Sequence, residues 1–143
     1  MFRLLNWLGA LFVGGGPGLV ETYGVEELRG MEDWRRCLAA SDAGPVFVFK
    51  HSTTCPISAG AQRRVARYLA EGGEDAAPVY LVKVIESRAV SNAIADDLGV
   101  RHQSPQAVLL HGGRAVWDAS HGSISETAML RALAARGDRG GAV

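Results

Sequence analysis

Four consecutive apolar β-formers, Val46-Phe47-Val48-Phe49, follow the breakers Gly44-Pro45 and run into a polar loop, His51-Ser52-Thr53-Thr54, that ends at Cys55-Pro56. A short run that is apolar at every position has no solvated face, so it reads as a central strand that must be covered on both sides. The chain around it has to supply that cover. It also has to accommodate a cysteine placed where a buried strand gives way to the next element.

Downstream, Ile57, Ala61, Val65, Tyr68 and Leu69 fall on one helical face with Arg63, Arg64 and Arg67 off it, and Gly72-Gly73 stops that helix. Pro78 opens a second strand over residues 79–85. Ser87 is an N-cap candidate for a helix with Val90, Ile94 and Leu98 in line, and Gly99 suits its C-terminal cap. After Pro105, residues 107–110 and 115–117 read as short strands around His111-Gly112-Gly113-Arg114, a hairpin turn. Ser123-Ile124-Ser125-Glu126 matches the capping box, and Met129, Leu130 and Leu133 give the last helix its apolar face. Upstream, Leu28, Met31, Arg35 and Leu38, with Trp34 among them, predict a helix over residues 24–40.

The order is therefore α-β-α-β-α-β-β-α. A crossover through a helix makes the first two strands parallel, and the hairpin makes the last two antiparallel. The pattern predicts an α/β, thioredoxin-like three-layer fold, with a mixed four-stranded sheet and helices on both faces. A chain of 143 residues has room for one such domain, assigned to residues 20–136, and a flexible tail at residues 137–143.

Residues 1–19 form an apolar lead-in and a Gly-rich linker. A helix over residues 1–13 would be about 20 Å long at ~1.5 Å per residue, short of the ~30 Å hydrocarbon core. Three readings stay open: a loosely held amphipathic lead-in, a signal peptide, and a membrane-surface anchor. Pro17 and the lack of an A-x-A-like site weigh against the signal peptide, so the expected compartment is the cytoplasm.

Fifteen Lys+Arg balance fifteen Asp+Glu, and this zero net charge argues against a footprint built on nucleic-acid phosphates. The two cysteines do not make a disulfide scaffold, because a domain of this size can bury its own core. They leave structure, metal or redox chemistry open. No Cys/His spacing resembles a zinc site, and no phosphate-binding or dinucleotide fingerprint follows a strand.

Cys55 leaves a central strand and opens a helix, with Pro56 at the first helical position, where its missing N–H costs nothing. A thiolate there faces unpaired backbone N–H groups, and the thiolate is the nucleophile. The helix dipole is worth only about 0.3–1 kcal/mol to it, whereas a hydrogen bond to a charged sulfur is worth ~1.5–3 kcal/mol. Direct N–H···S bonds therefore matter more. Ser58 stands where a C-x-x-C site has its second thiol. It can donate a hydrogen bond but cannot form a disulfide, so the site is monothiol. Cys37, near Trp34 and Leu38, reads as a core filler. Ser104-Pro105 before a strand is the other site element, a cis-proline candidate whose preceding backbone binds an extended chain by strand-like pairing. His51 and His102 border the two site loops. His111 reads as surface, and His121 as structural.

The segments Lys50-His51-Ser52-Thr53-Thr54-Cys55-Pro56-Ile57-Ser58, Ser87-Arg88-Ala89-Val90-Ser91-Asn92, Val100-Arg101-His102-Gln103-Ser104-Pro105-Gln106 and Ser120-His121 together resemble the YtxJ-type monothiol bacilliredoxins of the bacillithiol system. The likeness spans roughly residues 20–136 and leaves out the lead-in and the tail. It implies a thioredoxin-like fold and an oxidoreductase that exchanges bacillithiol, a small thiol of cysteine, glucosamine and malate, with client proteins. Carried over by residue, Cys55 is the nucleophile, assisted by Pro56, Ser58 and His51, and Ser104-Pro105 is the cis-proline element. Thr54, Lys50, Arg101, His102 and Gln103 complete the expected substrate-binding set. Lys50, His51, Arg101 and His102 are candidates, by charge and position, for meeting the malate carboxylates. No tightly bound cofactor or metal is implied; bacillithiol is a co-substrate. The expected partners are bacillithiolated clients, bacillithiol and a thiol reductase, with no nucleic acid and membrane association the lesser expectation. Two rivals share Cys55: a glutathione-linked monothiol oxidoreductase, and a non-catalytic thioredoxin-fold module or iron–sulfur carrier.

Overall fold

The computed structural model describes residues 18–140, with side chains through residue 136; all but the last two residues of the lead-in and linker assigned to residues 1–19, and the last three tail residues, lie outside them. The elements are α1 (Leu19–Tyr23), β1 (Glu26–Glu27), α2 (Met31–Ala43), β2 (Val46–His51), α3 (Pro56–Gly72), β3 (Val79–Lys83), α4 (Arg88–Leu98), β4 (Gln106–His111), β5 (Arg114–Ser120) and α5 (Glu126–Gly140), with short 3-10 turns at Gly73–Asp75 and His121–Ser123.

The sheet order is β1-β3-β2-β4-β5, parallel across β1, β3 and β2 and antiparallel across β2, β4 and β5. The mixed sheet thus has five strands rather than four. The fifth is β1, which lies inside the segment read from sequence as helix. Glu26 and Glu27 pair with Tyr80 and Leu81, Leu28 N–H donates to Leu81 O at 2.7 Å, and the helix begins only at Met31. Both residues of this edge strand are charged, and Glu27 pairs with Arg29 and Lys83. No apolar alternation marks it, while Leu28 extends the helical spacing of the residues that follow.

β2 holds the centre, with all six residues buried. Alternation sends Phe47 and Phe49 to one face, where α1, α3 and α5 bring Leu19, Ala61, Val65, Tyr68 and Met129. Val46 and Val48 face the other layer, where α2 and α4 bring Trp34, Cys37, Val90 and Ile94. Phe47 makes edge-on contacts with Tyr68 and Trp117, with ring centroids 5.3 Å and 6.1 Å apart. Helices on both faces make the three layers of a thioredoxin-like fold.

Several boundaries differ from the sequence expectation. β3 ends at Lys83 because Val84 N–H turns to His51 O. α5 is capped by Ser125, whose Oγ accepts from Ala128 N–H at 3.1 Å, and Ser123 belongs to the preceding 3-10 turn. Its buried face uses Met129 and Ala132, while Leu130 is exposed. The helix also runs on to Gly140, past the expected end of the domain. The hairpin turn is as expected: Gly112 and Gly113 both have positive φ, the type I′ geometry that matches strand twist.

Candidate functional site

Four loops leave the same end of the sheet. β2 and β3 end there in parallel, as His51 pairs with Lys83. β4 starts there and β5 ends there, since Lys50 pairs with Gln106 and Gln106 with Ser120. The register therefore gathers the Cys55 loop, the turn after Lys83, the Pro105 loop and the His121 turn.

Cys55 is the N-cap of α3 and only partly buried, with Thr53, Thr54, Pro56 and Ile57 exposed around it. Its N–H donates to Ser52 O at 3.3 Å, and its carbonyl accepts from Ala59 N–H at 3.0 Å. The side chain makes no capping hydrogen bond to α3 here, so the N–H···S contacts anticipated from sequence are not drawn in this conformation. Ile57, assigned from periodicity to the buried face, is 59% exposed beside the thiol.

Beneath the loop, Ser58 is fully buried. Its Oγ accepts from Ser52 N–H at 3.0 Å and lies 2.7 Å from His51 Nδ1. The fourth position of the motif is thus committed to holding the loop. His51 is buried and stacks on Phe49, with ring centroids 5.6 Å apart. Burial, helped by Lys83 and opposed by Glu86, holds its imidazole below the usual histidine range, so it is neutral at pH 7.

The Ser104–Pro105 peptide bond is cis, with Pro105 buried. Gln106, 1% exposed, donates from Nε2 to Arg101 O at 3.0 Å, which holds the start of the loop. Arg101 and His102 are exposed, and Gln103 and Ser104 partly so. Pro105 O accepts from His121 N–H at 3.1 Å. His121 is the one non-glycine among the described residues with positive φ, at 53°. Arg64 of α3 donates to His121 O at 3.1 Å and to Ile124 O, so Cys55's own helix braces this turn.

Lys50 differs most from its sequence role. Expected to meet a ligand carboxylate, it has 0% exposure, on the α2/α4 face of β2. Nζ donates to Ser91 O at 3.1 Å and lies 3.1 Å from His102 Nδ1. Burial lowers its pKa to about 8, so it remains mostly protonated at pH 7. Direct contact with a ligand does not fit that position, because no surface of the ammonium faces solvent. The same burial keeps His51 from being an open cation. Sequence reading missed Ser91, Gln106 and Arg64 as supports. Only the polarity of Gln106 in an apolar strand signalled one of them.

The second cysteine lies in the other layer. Cys37 is fully buried among Trp34, Val48 and Ile94, and burial, with Glu26 adding to it, pushes its thiol up to about 12. Both cysteines are free.

Comparison with known proteins agrees with this geometry. A family model described as monothiol bacilliredoxin BrxC matches residues 26–129. A solved structure of a candidate oxidoreductase with a thioredoxin fold is 31% identical, covers 80% of this chain and 98% of its own, and superposes with a TM-score of 0.70. Thioredoxin from Trypanosoma brucei brucei is 10% identical, with TM-score 0.64 over 80% of this chain and 91% of its own. Mitochondrial thioredoxin 3 from Saccharomyces cerevisiae is 13% identical, with TM-score 0.61 over 78% and 95%. The latter two show the shared fold alone.

Proposed function

Because the chain belongs to the monothiol bacilliredoxin family, we propose that it is a thiol-disulfide oxidoreductase that removes bacillithiol from mixed disulfides on client proteins through Cys55. The observation that carries this reading is the separation of the two sulfurs. Cys55 is accessible at a helix start, Ser58 fills the resolving position, and Cys37 is sealed in the opposite layer.

The Cys55 thiolate attacks the bacillithiol sulfur of the client mixed disulfide. The bond to the client sulfur breaks, the client leaves as a thiolate that takes a proton, and Cys55 carries bacillithiol in a new mixed disulfide. A second bacillithiol thiolate attacks that bacillithiol sulfur, giving bacillithiol disulfide and free Cys55. The net two electrons come from thiols, and a separate reductase returns the disulfide to thiol. Ser58 cannot intercept the intermediate, so release depends on the external thiol. The backbone before Pro105 pairs with the extended client segment, and Thr54, Arg101, His102 and Gln103 border the small thiol. The setting proposed for this exchange is the cytoplasm; among the described residues no helix is long and apolar enough to cross a membrane.

A client protein carrying bacillithiol, incubated with the purified protein and bacillithiol, tests this. Release should occur with the parent and Cys37→Ser and stop with Cys55→Ser. No release by the parent, or activity that follows Cys37 instead, would overturn the reading.

A further inference from the structure

The exchange just described gives Lys50 no task, yet a fully buried lysine must have its donors placed. Nζ reaches Ser91 O at 3.1 Å and His102 Nδ1 at 3.1 Å, and Ser91 Oγ lies 3.5 Å from the same ring nitrogen. An ammonium offers three donors and no acceptor. The imidazole nitrogen facing it must therefore present a lone pair, which leaves the ring proton on Nε2. His102 is exposed and sits in the loop that leads to cis-Pro105, so Nε2–H is on the side away from Lys50.

We propose that Lys50 is a positioning residue that holds His102 as the neutral Nε2–H tautomer, and that His102 offers this N–H to a carboxylate of the small acidic thiol bound beside the Pro105 loop. The second half rests on the bacillithiol reading, while the first stands without it. Besides Lys50 of β2, the groups acting on His102 are Ser91 and Arg88 from α4; Gln106, the register partner of Lys50 on β4, has its Nε2 tied to Arg101 O. Among the described residues neither Lys50 nor His102 has a carboxylate partner in an ion pair or hydrogen bond. An arriving carboxylate therefore meets an unopposed positive field as well as the N–H. Burial, then Lys50 and Arg88, hold His102 below the usual histidine range, so it is uncharged at pH 7 while Lys50 keeps its proton. The device thus recognises an anion with a neutral donor fixed from behind by a charge that never reaches the surface.

Nitrogen-resolved NMR of the histidine rings in the free parent protein tests the first half. His102 should be the Nε2–H tautomer at pH 7, with a titration midpoint below 6.5. In Lys50→Met, an apolar replacement of similar length, the midpoint should rise toward the ordinary value and the tautomers should mix. An Nδ1–H tautomer in the parent, or an unchanged His102 in Lys50→Met, would overturn the proposal whatever the small thiol is. Should Lys50→Met fail to fold, the tautomer of the parent decides alone. The second half is read from exchange with bacillithiol against an analogue lacking malate. His102→Ala and Lys50→Met should lose several-fold preference for the malate-bearing thiol through KM, with kcat within about twofold, and His102→Gln, which keeps an N–H donor, should restore part of it. If the parent releases bacillithiol but His102→Ala and Lys50→Met keep its preference unchanged, carboxylate recognition is overturned while the proposed function stands.

Discussion

Strand β2 ends in two adjacent polar residues that alternation sends to opposite layers, and each supports one site loop. On the α3 face, His51 pairs with Ser58 Oγ, which also accepts from Ser52 N–H, so neutral hydrogen bonds hold the Cys55 loop. On the α4 face, Lys50 bonds to Ser91 O and His102, so a buried charge holds the Pro105 loop. A single strand can serve both because its two faces lead into different layers. The loop that carries Cys55 rests on a neutral support. The Pro105 loop rests on a positive one, the setting that the proposed acidic ligand would use.

Changes at each support should separate them. The largest effect is chemical: Cys55→Ser should abolish bacillithiol release, while Cys37→Ser keeps it, as the release assay will show.

Next comes the pH response of the charged support. Lys50 has a folded pKa of about 8 against 10.5 for the unfolded lysine, so folding opposes its protonation. Below pH 8 both states bind the proton, and the cost of burying the charge is fully present. Between pH 8 and 10.5 the unfolded state binds more protons, so stability rises with pH. Relative to Lys50→Met, the parent should gain on the order of 3 kcal/mol across that window. Urea denaturation at stepped pH measures it, and parallel curves for the two proteins would contradict the assignment.

The neutral support predicts a loss without such a slope. Ser58→Ala leaves Ser52 N–H and His51 Nδ1 without their partner in a buried site, a destabilisation of about 1–3 kcal/mol. A loss under 0.5 kcal/mol would mean that water replaces the hydroxyl easily. The smallest effect belongs to the outer brace of the Pro105 loop. His121 holds φ at 53°, a conformation that costs a non-glycine residue about 1–2 kcal/mol. His121→Gly should therefore be as stable as the parent or more so, and His121→Ala should not share that relief. Equal melting temperatures for the Gly and Ala variants would contradict this.

Much of the fold was legible because its signals are local. Val46 to Phe49 read as a buried strand at once, Gly72-Gly73 and Gly99 stopped their helices, and the Gly112-Gly113 turn set the hairpin. Cys55-Pro56 and Ser104-Pro105 stood out for the same reason as elements of the candidate site, and the sheet register brings their loops to one end. β1 was not legible, since a two-residue edge strand of glutamates carries no periodicity. The capping serine was displaced by two residues because a 3-10 turn absorbs Ser123. The role of Lys50 was hidden for a deeper reason. Its partners lie 41 and 52 residues away in sequence, so neither its burial nor its hold on His102 shows in any local window. The same distance concealed Arg64, whose acceptors lie 57 and 60 residues on.

A monothiol mechanism requires Cys55 to work alone. Intact mass after incubation with bacillithiol disulfide tests this directly. The parent and Cys37→Ser should each gain a single bacillithiol, and Cys55→Ser should gain none. A parent that instead loses two hydrogens in an internal Cys37–Cys55 disulfide, or an adduct that persists in Cys55→Ser, would contradict a monothiol mechanism.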